Sequence, residues 1–289
     1  MDKTDATPIR AQRSEHLCRF SRTLPTAWLR SGAFVAKEAC VARIDCGEIH
    51  VSQDFTLRHL TAGDTWFTAA GSLTEIVRAS DNLALRCLVL PPAHSGANGP
   101  SDETWFDDLG RNSFFCPETH AAARLLDLYL QAAEARGEAE LADKDFDLDC
   151  RSLLRQMVLV VAQTAERTPS DGLRPTHGSG ATLSERFVRL LARHACGSHE
   201  VAYYADALST SQKHLTTTLR ARTGLTAKQC IDAYLGTMLR KEVECPHGDL
   251  KDVARRYGFP TQSYFTQFFV RLTGLTPRDY RKQCSPKRL

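Results

Sequence analysis

At 289 residues, the chain is long enough for about two domains of roughly 100–200 residues each. Its 42% hydrophobic and 25% charged content is that of a globular protein, not a disordered or fibrous one. No window approaches the roughly 18–20 apolar residues of a membrane-crossing helix. The polar stretch from Met1 to Gln12 lacks the apolar core of a signal peptide, so the expected compartment is the cytoplasm.

The net charge of +3 hides a division: from Leu183 onward there are 18 Lys/Arg against 9 Asp/Glu, a net +9, and the preceding residues sum to −6. A basic C-terminal part behind an acidic N-terminal one points to one half that meets a polyanion. The ten cysteines contain no Cys-x-x-Cys and no paired Cys/His ligand set. In a reducing compartment they are expected to be small buried hydrophobes. The alternative is a redox-sensing pair such as Cys40 and Cys46.

In chain order, residues 33–90 predict short strands. Phe34-Val35-Ala36 and Ala39 to Ile44 lead to a turn at Asp45-Cys46-Gly47, and Glu48 to Ser52 follows with Ile49 and Val51 apolar. Thr56 to Leu60, a turn at Thr61-Ala62-Gly63-Asp64, Thr65-Trp66-Phe67, Leu73 to Arg78 and Leu83 to Leu90 complete the set. Short strands at near-regular spacing predict a small β-barrel or sandwich. From Pro117 the period becomes helical. One apolar face is expected at Ala121, Leu125, Leu128 and Leu130, and another at Leu153, Leu154, Met157, Val158, Val160 and Val161, as two antiparallel helices separated by Gly137 to Asp147. The stretch Thr168 to Gly180, with Pro169, Gly172, Pro175, Gly178 and Gly180, has linker chemistry. The expected division is 1–166, a linker over 167–182, and 183–289.

The last part repeats at an offset of 50 residues. Leu215-Thr216 matches Phe265-Thr266, Leu219 matches Phe269, and Thr223-Gly224-Leu225-Thr226 recurs as Thr273-Gly274-Leu275-Thr276. Each copy predicts a helix-turn-helix. The first has a short helix over Val201 to Leu208 with Ala205 inward, a turn at Ser209-Thr210-Ser211 in which Ser211 caps the next helix, and a second helix over Gln212 to Arg222 with Leu215 and Leu219 inward. The second has Leu250 to Tyr257 with Val253 and Ala254 inward, Gly258 in the tight turn, and Thr261 to Leu272 with Phe265 and Phe269 inward. Lys228 to Glu244 predicts a helix joining the two.

The run Asp252-Val-Ala-Arg-Arg-Tyr-Gly-Phe259, then Gln262-Ser-Tyr-Phe265, Phe269 and Thr273-Gly-Leu-Thr-Pro277 ending Tyr280-Arg281, resembles the C-terminal signature of the AraC/XylS family over about residues 183–283. The first copy is looser. Leu219 stands where the family usually has Phe, and Tyr234-Leu235-Gly236 replaces its usual Arg-Leu pair. The front part resembles the family's cupin-like sensor barrel, chiefly in Leu60-Thr-Ala-Gly63-Asp64 followed by Trp66-Phe67. The implied fold class is α+β: a cupin-like barrel with a helical hairpin, then an all-α domain with two helix-turn-helix units.

The resemblance implies a sequence-specific DNA-binding transcription regulator, commonly an activator, responding to an effector or partner. The rival is a cupin-type enzyme with a DNA-targeting tail. Metal-binding cupins use clustered ligands with a His-x-His pair. His50 and His59 read as standing alone, so no metal, cofactor or catalytic residue is expected. Implied partners are double-stranded DNA, RNA polymerase, a small-molecule effector and a second copy through residues 117–166. No membrane is among them. The resemblance places base-facing positions at Lys213, Thr216 and Thr217 in the first copy and at Gln262, Ser263 and Gln267 in the second. Arg220 and Arg271, further along, are phosphate candidates.

Overall fold

The computed structural model describes residues 19–25, 28, 32–90, 114–116, 123–138, 152, 156, 182–245 and 248–284. Among the described residues, nine strands form the N-terminal part: β1 (Arg19–Ser21), β2 (Phe34–Val35), β3 (Ala39–Cys46), β4 (Glu48–Gln53), β5 (Thr56–Thr61), β6 (Thr65–Thr68), β7 (Leu73–Ala79), β8 (Ala84–Leu90) and β9 (Phe114–Cys116). They make a five-stranded sheet in the order β1-β8-β3-β6-β9 and a four-stranded sheet in the order β2-β7-β4-β5. The turns at Gly47 (φ 79°) and Gly63 (φ 93°) take left-handed backbone, as Asp-Cys-Gly and Ala-Gly-Asp demand. Asp64 closes the second turn by accepting the Thr61 N–H at 2.8 Å.

Alternation decides what the sheets enclose. On β4, Ile49, Val51 and Gln53 are buried while Glu48, His50 and Ser52 are half-exposed. From the facing sheet, Trp66 Nε1 donates to Gln53 Oε1 at 3.0 Å. β3 is buried over Ala39–Ala42 and at Ile44. Helix α1 (Ala123–Glu138) packs on β1 and β8. Its Asp127 accepts from Arg86 at 2.8 Å and pairs with Arg43 at 3.2 Å, while Asp45 binds Arg86 through both carboxylate oxygens. These two carboxylates, Asp45 first, hold the half-buried Arg86 guanidinium above its ordinary range.

The seven strands expected over 33–90 are present within a residue or two. β1 and β9 were not legible. Each is three residues long and exists because a neighbour pairs it, Phe20 with Leu88 and Phe115 with Trp66. The expected apolar face of the first helix is corrected. Ala123, Leu126, Leu130 and Ala133 are buried, whereas Leu125 and Leu128 are 43% and 56% exposed. Leucines at 125, 126, 128 and 130 support two registers, and the ion pairs of Asp127 to the sheet favour the other one. The second expected helical face, the linker and Ala121 lie outside the described residues. Cys40 and Cys46 are free, one buried and one exposed. Six steps of one strand put them about 20 Å apart, beyond the roughly 7 Å Cα separation that a disulfide tolerates, so they are not a redox pair within the chain.

Residues from Thr182 onward belong to a second compact unit. It contains α2 (Leu183–His194), α3 (Val201–Ala207), α4 (Gln212–Thr223), α5 (Ala227–Glu244), α6 (Leu250–Arg256), α7 (Gln262–Thr273) and α8 (Pro277–Cys284). Thr182 and Glu185 form a capping box that starts α2. Among the described residues, no helix is long and apolar enough to cross a membrane.

Candidate nucleic-acid interface

The repeated Thr-Gly-Leu-Thr is a stop-and-restart device. Thr223 and Thr273 each donate to the carbonyl four residues back, Leu219 and Phe269, at 2.8 Å. Each also accepts the N–H two residues on, from Leu225 and Leu275, at 3.1 and 3.3 Å. Gly224 (φ 75°) and Gly274 (φ 76°) end α4 and α7 in left-handed backbone. Thr226 and Thr276 then cap the following helices through Gln229 N and Asp279 N. The two copies therefore fix the exit of the two long helices identically.

The entrances also correspond. Thr210 N bonds to Ala205 O and Phe259 N to Ala254 O, both at 2.9 Å. The left-handed residue before each is Ser209 (φ 53°) in one copy and Gly258 (φ 70°) in the other. Ser211 and Thr261 accept from His214 N and Tyr264 N, each at 3.1 Å, and so start α4 and α7. Beneath them Ala205, Ala254, Leu215, Leu219, Phe265 and Phe269 are buried, as the spacing predicts.

The core orients the outer faces. With Leu215 and Leu219 inward, Lys213, Thr217 and Arg220 form an exposed stripe at i, i+4, i+7 on α4. The equivalent stripe on α7 is Ser263, Gln267 and Val270, all exposed, with Val270 at 37%. Gln262 is exposed in the first turn of α7, whereas Thr216 is half-buried. The first stripe is cationic and the second neutral. Three exposed positions escaped the sequence reading: Gln212 and His214, which stand where Gln262 and Tyr264 stand in the second copy, and Tyr264 itself, 54% exposed. The offset of 50 that revealed the repeat gives these correspondences directly.

Arg271 sits differently from Arg220. Its guanidinium pairs with Asp232 on α5 at 3.1 Å and lies 5.0 Å from the centre of the Phe268 ring. It is 59% exposed. Asp232 also pairs with Lys228 at 3.2 Å, so α7 is tied to the joining helix by charge. The joining helix approaches α7 closely at Gly236, where a Cβ would stand 2.8 Å from Leu272 Cδ1. That contact accounts for a glycine in the Tyr234-Leu235-Gly236 departure. The copies also meet through the 196–199 loop. His199 packs 4.7 Å from Phe259, and Lys228 Nζ donates to its carbonyl at 3.0 Å. Burial, followed by the nearby Lys228 charge, lowers the His199 imidazole below its usual value, so it stays neutral at neutral pH.

Residues 204–283 match the family model described as a helix-turn-helix domain. That part of the chain is therefore a helix-turn-helix domain. The chain is similar to the HTH-type transcriptional activator RhaR of Escherichia coli (strain K12), 28% identical over 129 residues, which are 45% of this chain and 45% of that protein. RhaR of Shigella flexneri serotype 5b (strain 8401) matches with the same figures. The chain thus spans less than half the length of the curated relatives it matches. Among solved structures, ToxT from Vibrio cholerae O395 aligns over 93% of this chain and 97% of that one, with 13% identity and a TM-score of 0.42. The C-terminal domain of AraT from Geobacillus stearothermophilus aligns over 39% and 94%, with 17% identity and a TM-score of 0.35.

Proposed function

We propose that the chain is a sequence-specific DNA-binding transcription regulator, with a DNA-binding domain over 183–289, a linker over 167–182 and a sensor and dimerisation domain over 1–166. The observation that carries it is a pair of identically capped helices, α4 and α7, joined through α5 in one domain of net charge +9. Such helices enter successive major grooves about 34 Å apart on one face of DNA. Lys213, Thr217 and Gln212 read bases from α4. Gln262, Ser263 and Gln267 do so from α7, with Val270 against a thymine methyl. Thr216, half-buried, has the smaller share. Arg220 meets phosphate directly, and Arg271 does so by exchanging Asp232 for the backbone.

The sign of regulation is activation, as in the name of the RhaR relative, with RNA polymerase as the further partner. The barrel holds a small-molecule effector. Gln53 Nε2, Thr68 Oγ1 and Thr74 Oγ1 are buried without a hydrogen-bond partner among the described residues, and orphaned polar atoms of this kind are what a polar ligand satisfies. A second copy joins through residues 117–166, most of which lie outside the described residues. The protein acts by binding, not by catalysis, in the cytoplasm.

Gln262→Ala is expected to cost about 1–3 kcal/mol on the preferred DNA sequence and nothing on scrambled DNA, because an amide matches one base edge. Arg271→Ala weakens both alike and lowers the salt slope by about one phosphate's worth. Binding titrations on both DNAs at several salt concentrations separate the two. Equal loss on both DNAs for Gln262→Ala contradicts the assigned helix face.

A further inference from the structure

The two front-domain histidines do not stand alone. His50 and His59 are direct cross-strand partners on β4 and β5, with rings stacked 4.3 Å apart at 16°. Glu48 lies two residues before His50, on the same outward face of the strand. Its Oε2 is 2.9 Å from His59 Nε2. One ligand atom from each of the three lies within 4.8 Å of the others. The signal missed in the sequence is that a tight β4–β5 turn places residues 50 and 59 opposite each other. Two histidines nine residues apart in sequence then make a pair as close as any His-x-His.

We propose that Glu48, His50 and His59 form a surface site for a divalent transition-metal ion of borderline softness, with Zn²⁺ the best fit. Two imidazoles and one carboxylate are ligands of that class. Bonds of about 2.0–2.2 Å in tetrahedral geometry set ligand atoms roughly 3.4 Å apart, between the 2.9 Å of the Glu48–His59 contact and the 4.8 Å limit of the group. The His59 and Glu48 side chains are 48% and 44% exposed, so they can tilt to bring their lone pairs onto one point. The fourth position is left to water. This site is on the outer face of the four-stranded sheet, whereas Gln53 and Trp66 face the interior. It is therefore separate from the effector space. The ion would clip β5, the terminal strand of its sheet, to β4. Arg78, the partner of His50 on β7, moderates the affinity by its charge.

The test is titration of the reduced full chain with Zn²⁺ by calorimetry, and with Co²⁺ by absorption. Exposed Cys46, Cys245 and Cys284 are rival ligands, and only thiolate ligation gives Co²⁺ an intense near-ultraviolet charge-transfer band. The proposal expects a saturable site with weak visible bands alone. His50→Ala and His59→Ala should weaken it at least 100-fold and Glu48→Gln at least tenfold, while Cys46→Ser leaves it unchanged. Glu48→Gln alters an exposed side chain and keeps the test valid should a histidine variant fold poorly. Absence of a saturable site, affinity unmoved by Glu48→Gln, or loss of the site in Cys46→Ser overturns the proposal.

Discussion

Phe269→Ala is expected to destabilise the C-terminal domain by about 3–5 kcal/mol, much of the roughly 5–15 kcal/mol that holds a typical domain together. Phe269 is fully buried and joins α7 to α8 through Tyr280, 5.3 Å away with the rings edge to face. Phe265, at 5.9 Å, and Leu239, Val253 and Phe259 belong to the same cluster. Removing the ring leaves a cavity that several helices must collapse to fill, and the loss of packing reaches both ends of the proposed reading helix. The neighbouring Val270→Ala removes a side chain that is 37% exposed, and should cost no more than about 0.5 kcal/mol. Denaturant unfolding of both variants, followed by far-ultraviolet circular dichroism, gives the comparison. Equal stabilities would mean that α7 presents a different face to the core.

Gly258→Val has the second-largest expected effect. Gly258 takes φ 70°, where an L-residue costs about 1–2 kcal/mol and a β-branched one more. Its Cβ would also stand 3.0 Å from Cys196 O and 3.4 Å from Gly197 O. Those atoms are backbone and belong to the loop through which the first copy meets the second. The variant should lose about 2–3 kcal/mol and loosen the coupling between copies, so DNA affinity falls beyond what stability alone explains. The mirror experiment is Ser209→Gly in the first turn. Ser209 occupies the same left-handed position at φ 53°, and glycine there should be neutral or stabilising by up to about 1 kcal/mol. Thermal unfolding checks both, and a Gly258→Val variant as stable as the parent would contradict the contact.

The sequence was most legible where local chemistry acts alone. Ser211 announced a helix start, Gly258 a tight turn, and the Leu215/Leu219 and Phe265/Phe269 spacing the inward faces, because caps, turn glycines and 3.6-residue periodicity need no distant partner. Legibility failed where tertiary pairing decides. β1 and β9 are too short to carry a period. Leu125 and Leu128 lost the core to Leu126 because Asp127 reaches Arg43 and Arg86 on the sheet. His50 and His59 acquire meaning only from strand register. At the interface, the reading of Arg271 as a phosphate contact could not foresee its pairing with Asp232, 39 residues earlier in the chain. Gln212 and Tyr264 were missed although the repeat itself marks them.

Whether α4 and α7 read separate grooves is decided by binding-site selection from random double-stranded DNA with the full chain, run in parallel for the parent, Lys213→Ala and Gln267→Ala. Two blocks of preferred bases about 10–10.5 base pairs apart, centre to centre, are expected, with Lys213→Ala relaxing one block and Gln267→Ala the other. A parent protein that selects no sequence, or two variants that relax the same block, would contradict the claim that α4 and α7 read separate grooves.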